Sequence, residues 1–99
     1  MNFQLRFTPE AANDLRRLYA FLADNDLAAA KKALKTIGKA WEILEEFPFS
    51  CRKAQNDNPF LREIIIPFGD SGYVALYEIE GNKIVTILAV RHQREEDYQ

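Results

Sequence analysis

The sequence predicts an α+β domain: four antiparallel strands in one sheet, with a two-helix hairpin packed on one face, in the order β-α-α-β-β-β. Three observations carry this prediction. The chain opens on strict apolar–polar alternation, continues with two helical patterns joined by a few polar residues, and closes on three apolar runs separated by short turns. At 99 residues, with 47% hydrophobic and 28% charged side chains, the composition is that of one globular domain, taken as 1–99.

Each element has its own signal. Phe3, Leu5 and Phe7 alternate with Gln4 and Arg6, as in a half-buried strand. Thr8-Pro9-Glu10 reads as a helix start, with a capping hydroxyl, a proline at the first helical position and an acid favourable to the dipole. Ala11, Leu15, Leu18, Tyr19 and Leu22 then fall at helical spacing, and Asp24-Asn25-Asp26 interrupts them and offers a new cap. In the second helix Leu27, Ala30, Leu34, Ile37, Trp41 and Leu44 step by threes and fours, the pattern of a packed seam, until Phe47-Pro48. Gly38 within it costs about 1 kcal/mol relative to Ala, and close approach of the neighbouring helix is the expected reason. Residues 49–59 lack periodicity and read as a loop. Leu61–Phe68, Tyr73–Glu80 and Lys83–Val90 read as strands, with turns at Gly69–Gly72 and Gly81-Asn82, hence an antiparallel meander. The expected core is Leu15, Leu18, Leu22, Leu34, Ile37, Trp41 and Leu44, met by Phe3, Leu5, Ile64 or Ile65, and Leu76.

Charge and cysteine content narrow the function. A net charge of −2 lacks the strongly basic balance of a general nucleic-acid binder. A single Cys allows no internal disulfide and no cysteine-based metal site, so no metal or cofactor is expected. Arg6, Glu10 and Asp14 interrupt any signal-peptide core, and no apolar run approaches the ~20 residues of a membrane helix, so a cytoplasmic location without membrane partners is expected.

The ordered set Phe7-Thr8-Pro9-Glu10-Ala11, Asp14-Leu15, Ala28-Ala29-Ala30, Phe47-Pro48, Leu61-Arg62-Glu63, Gly72-Tyr73, Leu76-Tyr77 and the closing Ile87–Tyr98 resembles the RelE/ParE superfamily of type II toxin–antitoxin toxins. The ending, His92-x-Arg94 followed by acids and Tyr98, is most similar to the ParE-like, plasmid-stabilisation branch. The resemblance implies growth inhibition by binding DNA gyrase or another topoisomerase, without turnover, and neutralisation by a cognate ParD- or RelB-like antitoxin. Its alternatives are a RelE-like ribosome-dependent mRNA interferase, or an inactive relative that only binds antitoxin.

Metal-free RNA cleavage needs a base, an acid and cations to hold the developing phosphorane charge. Where RelE-like ribonucleases resemble one another in carrying Lys and Arg, this chain has Ile64, Ile65, Ile66 and Val74. Glu63, His92, Arg94 and Tyr98 remain as the candidate catalytic set. Arg62, Arg91, His92, Arg94 and Tyr98 are the candidate target contacts. Arg62 and Glu63, being adjacent on a strand, are expected on opposite faces, each with a cross-strand partner available. Leu18 and Leu22, with Lys31, Lys35 and Lys39, are the candidate antitoxin contacts. The three lysines step by four opposite the Leu27/Leu34/Trp41 seam and read either as a solvated face or as a docking face for an acidic partner.

Overall fold

The computed structural model describes residues 2–93. Five strands and two long helices follow one another as β1 (Gln4–Phe7), α1 (Pro9–Asn25), α2 (Leu27–Glu46), β2 (Arg52–Gln55), β3 (Asn58–Phe68), β4 (Ser71–Glu80) and β5 (Ile84–His92), with a short 3₁₀ turn at Pro48–Ser50. The helix caps form as the sequence predicts. Thr8 Oγ1 accepts the Ala11 N–H at 3.0 Å ahead of Pro9, and Asp26 Oδ1 accepts the Ala29 N–H at 3.2 Å. Asp26 alone separates the helices, so they fold back on each other. Neither described helix is long and apolar enough to cross a membrane.

The sheet departs from the expected one in two respects. It has five strands, ordered β1-β5-β4-β3-β2, because the segment expected as a loop supplies β2 and the beginning of β3. Arg52 pairs with Glu63 and Lys53 with Arg62, and cross-strand ladder bonds, not hydrophobic alternation, define this edge hairpin. The sheet is also mixed. β1 lies parallel to β5, with Gln4 beside Ile84 and Phe7 beside Ile87, while the other neighbours are antiparallel.

Register decides what faces the helices. Along β3 and β4, Ile64 and Ile66 lie across from Ala75 and Tyr73, and all four point into the core. Ile65 and Leu76 therefore face the other way, which corrects the expectation for Leu76 and selects Ile64 over Ile65. On β5 the pairing jumps from Tyr77–Ile87 to Leu76–Ala89, leaving Leu88 as a bulge. The bulge reverses the alternation, so Val85 and Ile87 face the helices before it and Val90 after it. That reversal explains why β5 reads as apolar on both faces.

The buried stripe of α2 is Ala30, Ala33, Ile37, Ala40 and Leu44. Leu27 and Leu34, expected in the seam, stand on its flank at 51% and 45% exposure. Trp41 is half-buried, edge-on to Phe7 with centroids 5.4 Å apart. Small residues on the true stripe bring the helix close to the sheet, and the larger leucines ride outside. Beyond the local backbone of α2 and the two adjoining residues, no atom lies within 4 Å of a Cβ built on Gly38, so the neighbouring helix is not the reason for that glycine. Gly72 is different. With φ +148°, its Cβ would meet the Ile66 carbonyl oxygen at 2.2 Å, so only glycine fits.

Candidate functional site

With the hairpin on one face, no element among the described residues packs on the opposite face of the sheet, the bare face, and the pairing places specific residues there, most of them partly exposed and Val74 buried. Glu63, Leu76 and Ala89 form one cross-strand row, and Ile65, Val74 and Arg91 the next. A shallow groove of about 300 Å³ runs over this face, lined by Ala54, Gln55, Leu61, Glu63, Leu76, Ala89 and Arg91. Its floor is apolar and its rim is charged.

Both rim charges are engaged. Arg52 Nε donates to Glu63 Oε1 at 2.7 Å, across the β2–β3 ladder. Arg91 reaches around the edge of β5 to form an ion pair with Asp14 of α1. Asp14 also accepts the Val90 N–H at 3.0 Å. It does so where β1 has ended and no strand among the described residues covers β5. Just before it, the Thr8 N–H and Oγ1 donate to the Ile87 and Leu88 carbonyls, at 3.1 and 3.2 Å. The N-cap and first two turns of α1 thus close the edge around the bulge and fix the direction of Arg91.

Arg62 and His92 lie on the helix side, by register with Tyr77 and Tyr73 respectively. Arg62 is held by backbone carbonyls: Nε donates to Pro59 at 2.7 Å, and Nη1 to Cys51 at 2.7 Å and Phe49 at 3.2 Å. Its guanidinium carbon stands 5.5 Å from the Phe49 ring centroid. His92 lies edge-on to Tyr73 with Nε2 3.1 Å from Ser71 Oγ, tying the end of β5 to the β3–β4 turn. Beneath Arg62, the Tyr77 hydroxyl donates to the Pro48 carbonyl at 2.6 Å. Burial, and then contact with Cys51, push its pKa well above the ordinary tyrosine value; burial raises Tyr73 as well.

The candidate catalytic set is therefore not gathered by the described residues. Glu63 and His92 sit on opposite faces of one sheet, and Glu63 is engaged by Arg52. Arg94 and Tyr98 lie outside the described residues. Among the candidate antitoxin contacts, Leu18 is 7% exposed within the core and presents almost no surface, Leu22 packs against the core edge, and Lys31, Lys35 and Lys39 are exposed, beside the exposed Leu27 and Leu34 and not opposite them. Sequence reasoning missed the groove floor and Asp14. The floor required knowing the strand register, and Asp14 carries no local sign of its bond to Val90, 76 positions away.

A five-stranded mixed sheet, packed on one side by a helical hairpin and left without a packed element on the other among the described residues, defines the class of this fold. Comparison with known proteins identifies the family. Residues 5–97 match the ParE toxin of type II toxin–antitoxin system, parDE. Toxin RelE1 of Caulobacter vibrioides is 33% identical over 84 residues, spanning 85% of this chain and 87% of its own length. Toxin RelE3 of the same organism is 32% identical over 88 residues, 88% of this chain and 90% of that one. The fold is also that of a chain from the chromosomal ParDE toxin–antitoxin system of P. aeruginosa, with TM-score 0.72, 21% identity, and 91% and 95% of the two chains covered. A chain of the RelBE2 toxin–antitoxin complex of Mycobacterium tuberculosis gives TM-score 0.59 at 26% identity, over 93% of this chain and 99% of that one. The chain belongs to the ParE toxin family, within the RelE/ParE superfamily of type II toxin–antitoxin toxins.

Proposed function

We propose that this toxin arrests growth in the ParE manner, by binding DNA gyrase or a related topoisomerase, and that a cognate antitoxin restrains it. The observation that carries this reading is the character of the bare sheet face. Its floor is Leu61, Leu76 and Ala89, and its two charged lining residues, Glu63 and Arg91, are each held in an ion pair, with Arg52 and Asp14 respectively. A site for in-line RNA cleavage needs unengaged cations around the phosphate and an acid and base converging on it. An apolar floor with an ion-paired rim instead suits a protein surface, where apolar burial supplies most of the affinity. The separation of Glu63 from His92 by the thickness of the sheet supports the same reading.

The antitoxin is proposed from kinship with the ParDE and RelBE2 systems. The target reading is tested by gyrase supercoiling and DNA-cleavage assays run beside a translation-coupled RNA cleavage assay. The expected result is a supercoiling defect or trapped DNA breaks with transcripts intact. Ribosome-dependent transcript cleavage that disappears in His92→Gln would refute the reading in favour of an mRNA interferase.

A further inference from the structure

Arg91 is clamped through one nitrogen. Its Nη1 pairs with the Asp14 carboxylate and donates to the Val90 carbonyl at 3.2 Å. Asp14 is itself fixed, because it accepts the Val90 N–H at 3.0 Å. Carboxylate, guanidinium and the Val90 peptide groups thus close a small ring at the edge of β5, with the Asp14 side chain only 13% exposed. Nε and Nη2 make no hydrogen bond among the described residues. Those two nitrogens are the planar fork with which a guanidinium binds an oxyanion bidentately. The Arg91 side chain is 27% exposed and lines the groove of the bare face together with Leu61, Leu76 and Ala89.

We propose that this fork receives one carboxylate of the target protein, and that Asp14 is the positioning residue that holds the fork for it. Apolar neighbours of that carboxylate lie on Leu61, Leu76 and Ala89. The proposal rests on the reading that the bare face binds a topoisomerase, and it assigns the chemistry of one contact in that complex.

A phosphate backbone fits this surface poorly. Nucleic-acid binding draws on several cations at once. Arg91 is the one cation among the described residues lining the groove, and Glu63 stands among them as an acid. Asp14 also offsets part of the charge on Arg91. Directional hydrogen bonding remains, which suits a single planar carboxylate set over an apolar floor.

The test measures binding of the purified protein to DNA gyrase without DNA, with a single-stranded and a duplex oligonucleotide as parallel ligands. Arg91→Lys keeps the charge but replaces the fork with a point donor, so affinity for gyrase falls about tenfold or more, close to the loss in Arg91→Gln. Asp14→Asn, confirmed folded by circular dichroism at the assay temperature, lowers affinity in the wild-type background and adds nothing in Arg91→Gln. A purely structural Asp14 would cost the same in both backgrounds, and that outcome overturns the positioning role. Full affinity in Arg91→Lys overturns the fork. So does oligonucleotide binding that is lost in the Arg91 variants while gyrase binding stays intact, because the fork then serves a phosphate. Failure of the wild-type protein to bind gyrase sinks the topoisomerase reading alone, and the same variants are then scored by growth arrest at matched soluble levels. Arrest relieved in both Arg91→Lys and Asp14→Asn sustains the proposal; arrest undiminished in either, or absent in the wild type, overturns it.

Discussion

Removing Asp14 tests how the edge of β5 is closed. Its carboxylate, 13% exposed, accepts the Val90 N–H at 3.0 Å and holds Arg91, with Arg17 farther off at 3.7 Å. Asp14→Ala deletes a hydrogen bond to a charged group, worth about 1.5–3 kcal/mol, and strands the N–H of a fully buried residue. The Arg91 pair is partly solvated and adds roughly 1 kcal/mol or less. Together the loss is about 2–4 kcal/mol, which lowers the melting midpoint of a domain this size by roughly 10–20 °C. Asp14→Asn keeps an acceptor for the amide and loses only the charge, so it falls between the two. Urea denaturation gives the energies, and hydrogen exchange at the Val90 amide locates them. An Asp14→Ala variant within about 0.5 kcal/mol of wild type, with Val90 still protected, would refute the edge-closure argument.

Other consequences are equally direct. Gly38→Ala stabilises the free protein by about 0.5–1 kcal/mol in thermal denaturation, since the added methyl meets no atom within 4 Å beyond the local backbone of α2 and the two adjoining residues, and helix propensity improves. Gly72→Ala is severely destabilising by the same measurement, because its Cβ would lie 2.2 Å from the Ile66 carbonyl oxygen. The raised pKa values of Tyr73 and Tyr77 mean that the fold favours the neutral phenols: their contribution is complete below about pH 10, the unfolded value, and is lost as pH climbs above it. Urea midpoints should therefore fall above that pH, and less steeply in Tyr77→Phe, which at neutral pH costs about 1–2 kcal/mol for the lost bond to Pro48. Ile65→Glu on the bare sheet face, at a position 40% exposed, should change stability little and relieve growth arrest in cells.

Much of this architecture is legible in local pattern. Thr8 and Asp26 cap because a short polar acceptor precedes each helical run, and the two turns of the meander follow from the Gly69–Gly72 tetrad and the Gly81-Asn82 pair. Opposite faces for Arg62 and Glu63 follow from the period of a strand, and the Glu63–Arg52 pair is the cross-strand use such a charge invites. The family, too, was readable in the ordered words of the chain.

What local pattern could not determine was parity and partnership. The bulge at Leu88 has no sequence mark, yet it sends Arg91 to the bare face and leaves His92 with Tyr73 and Ser71 on the other. The parallel pairing of β1 with β5 joins segments about 80 positions apart, and β2 exists only because β3 offers it a ladder. Leu34 looked like core because apolar spacing reports a stripe's period and not its centre; the narrow alanines beside it allow the sheet to approach, and that contact turns the leucine outward. Periodicity along the chain thus set which elements form, while the long-range hydrogen bonds and packing of the assembled sheet decided which side chains share a face.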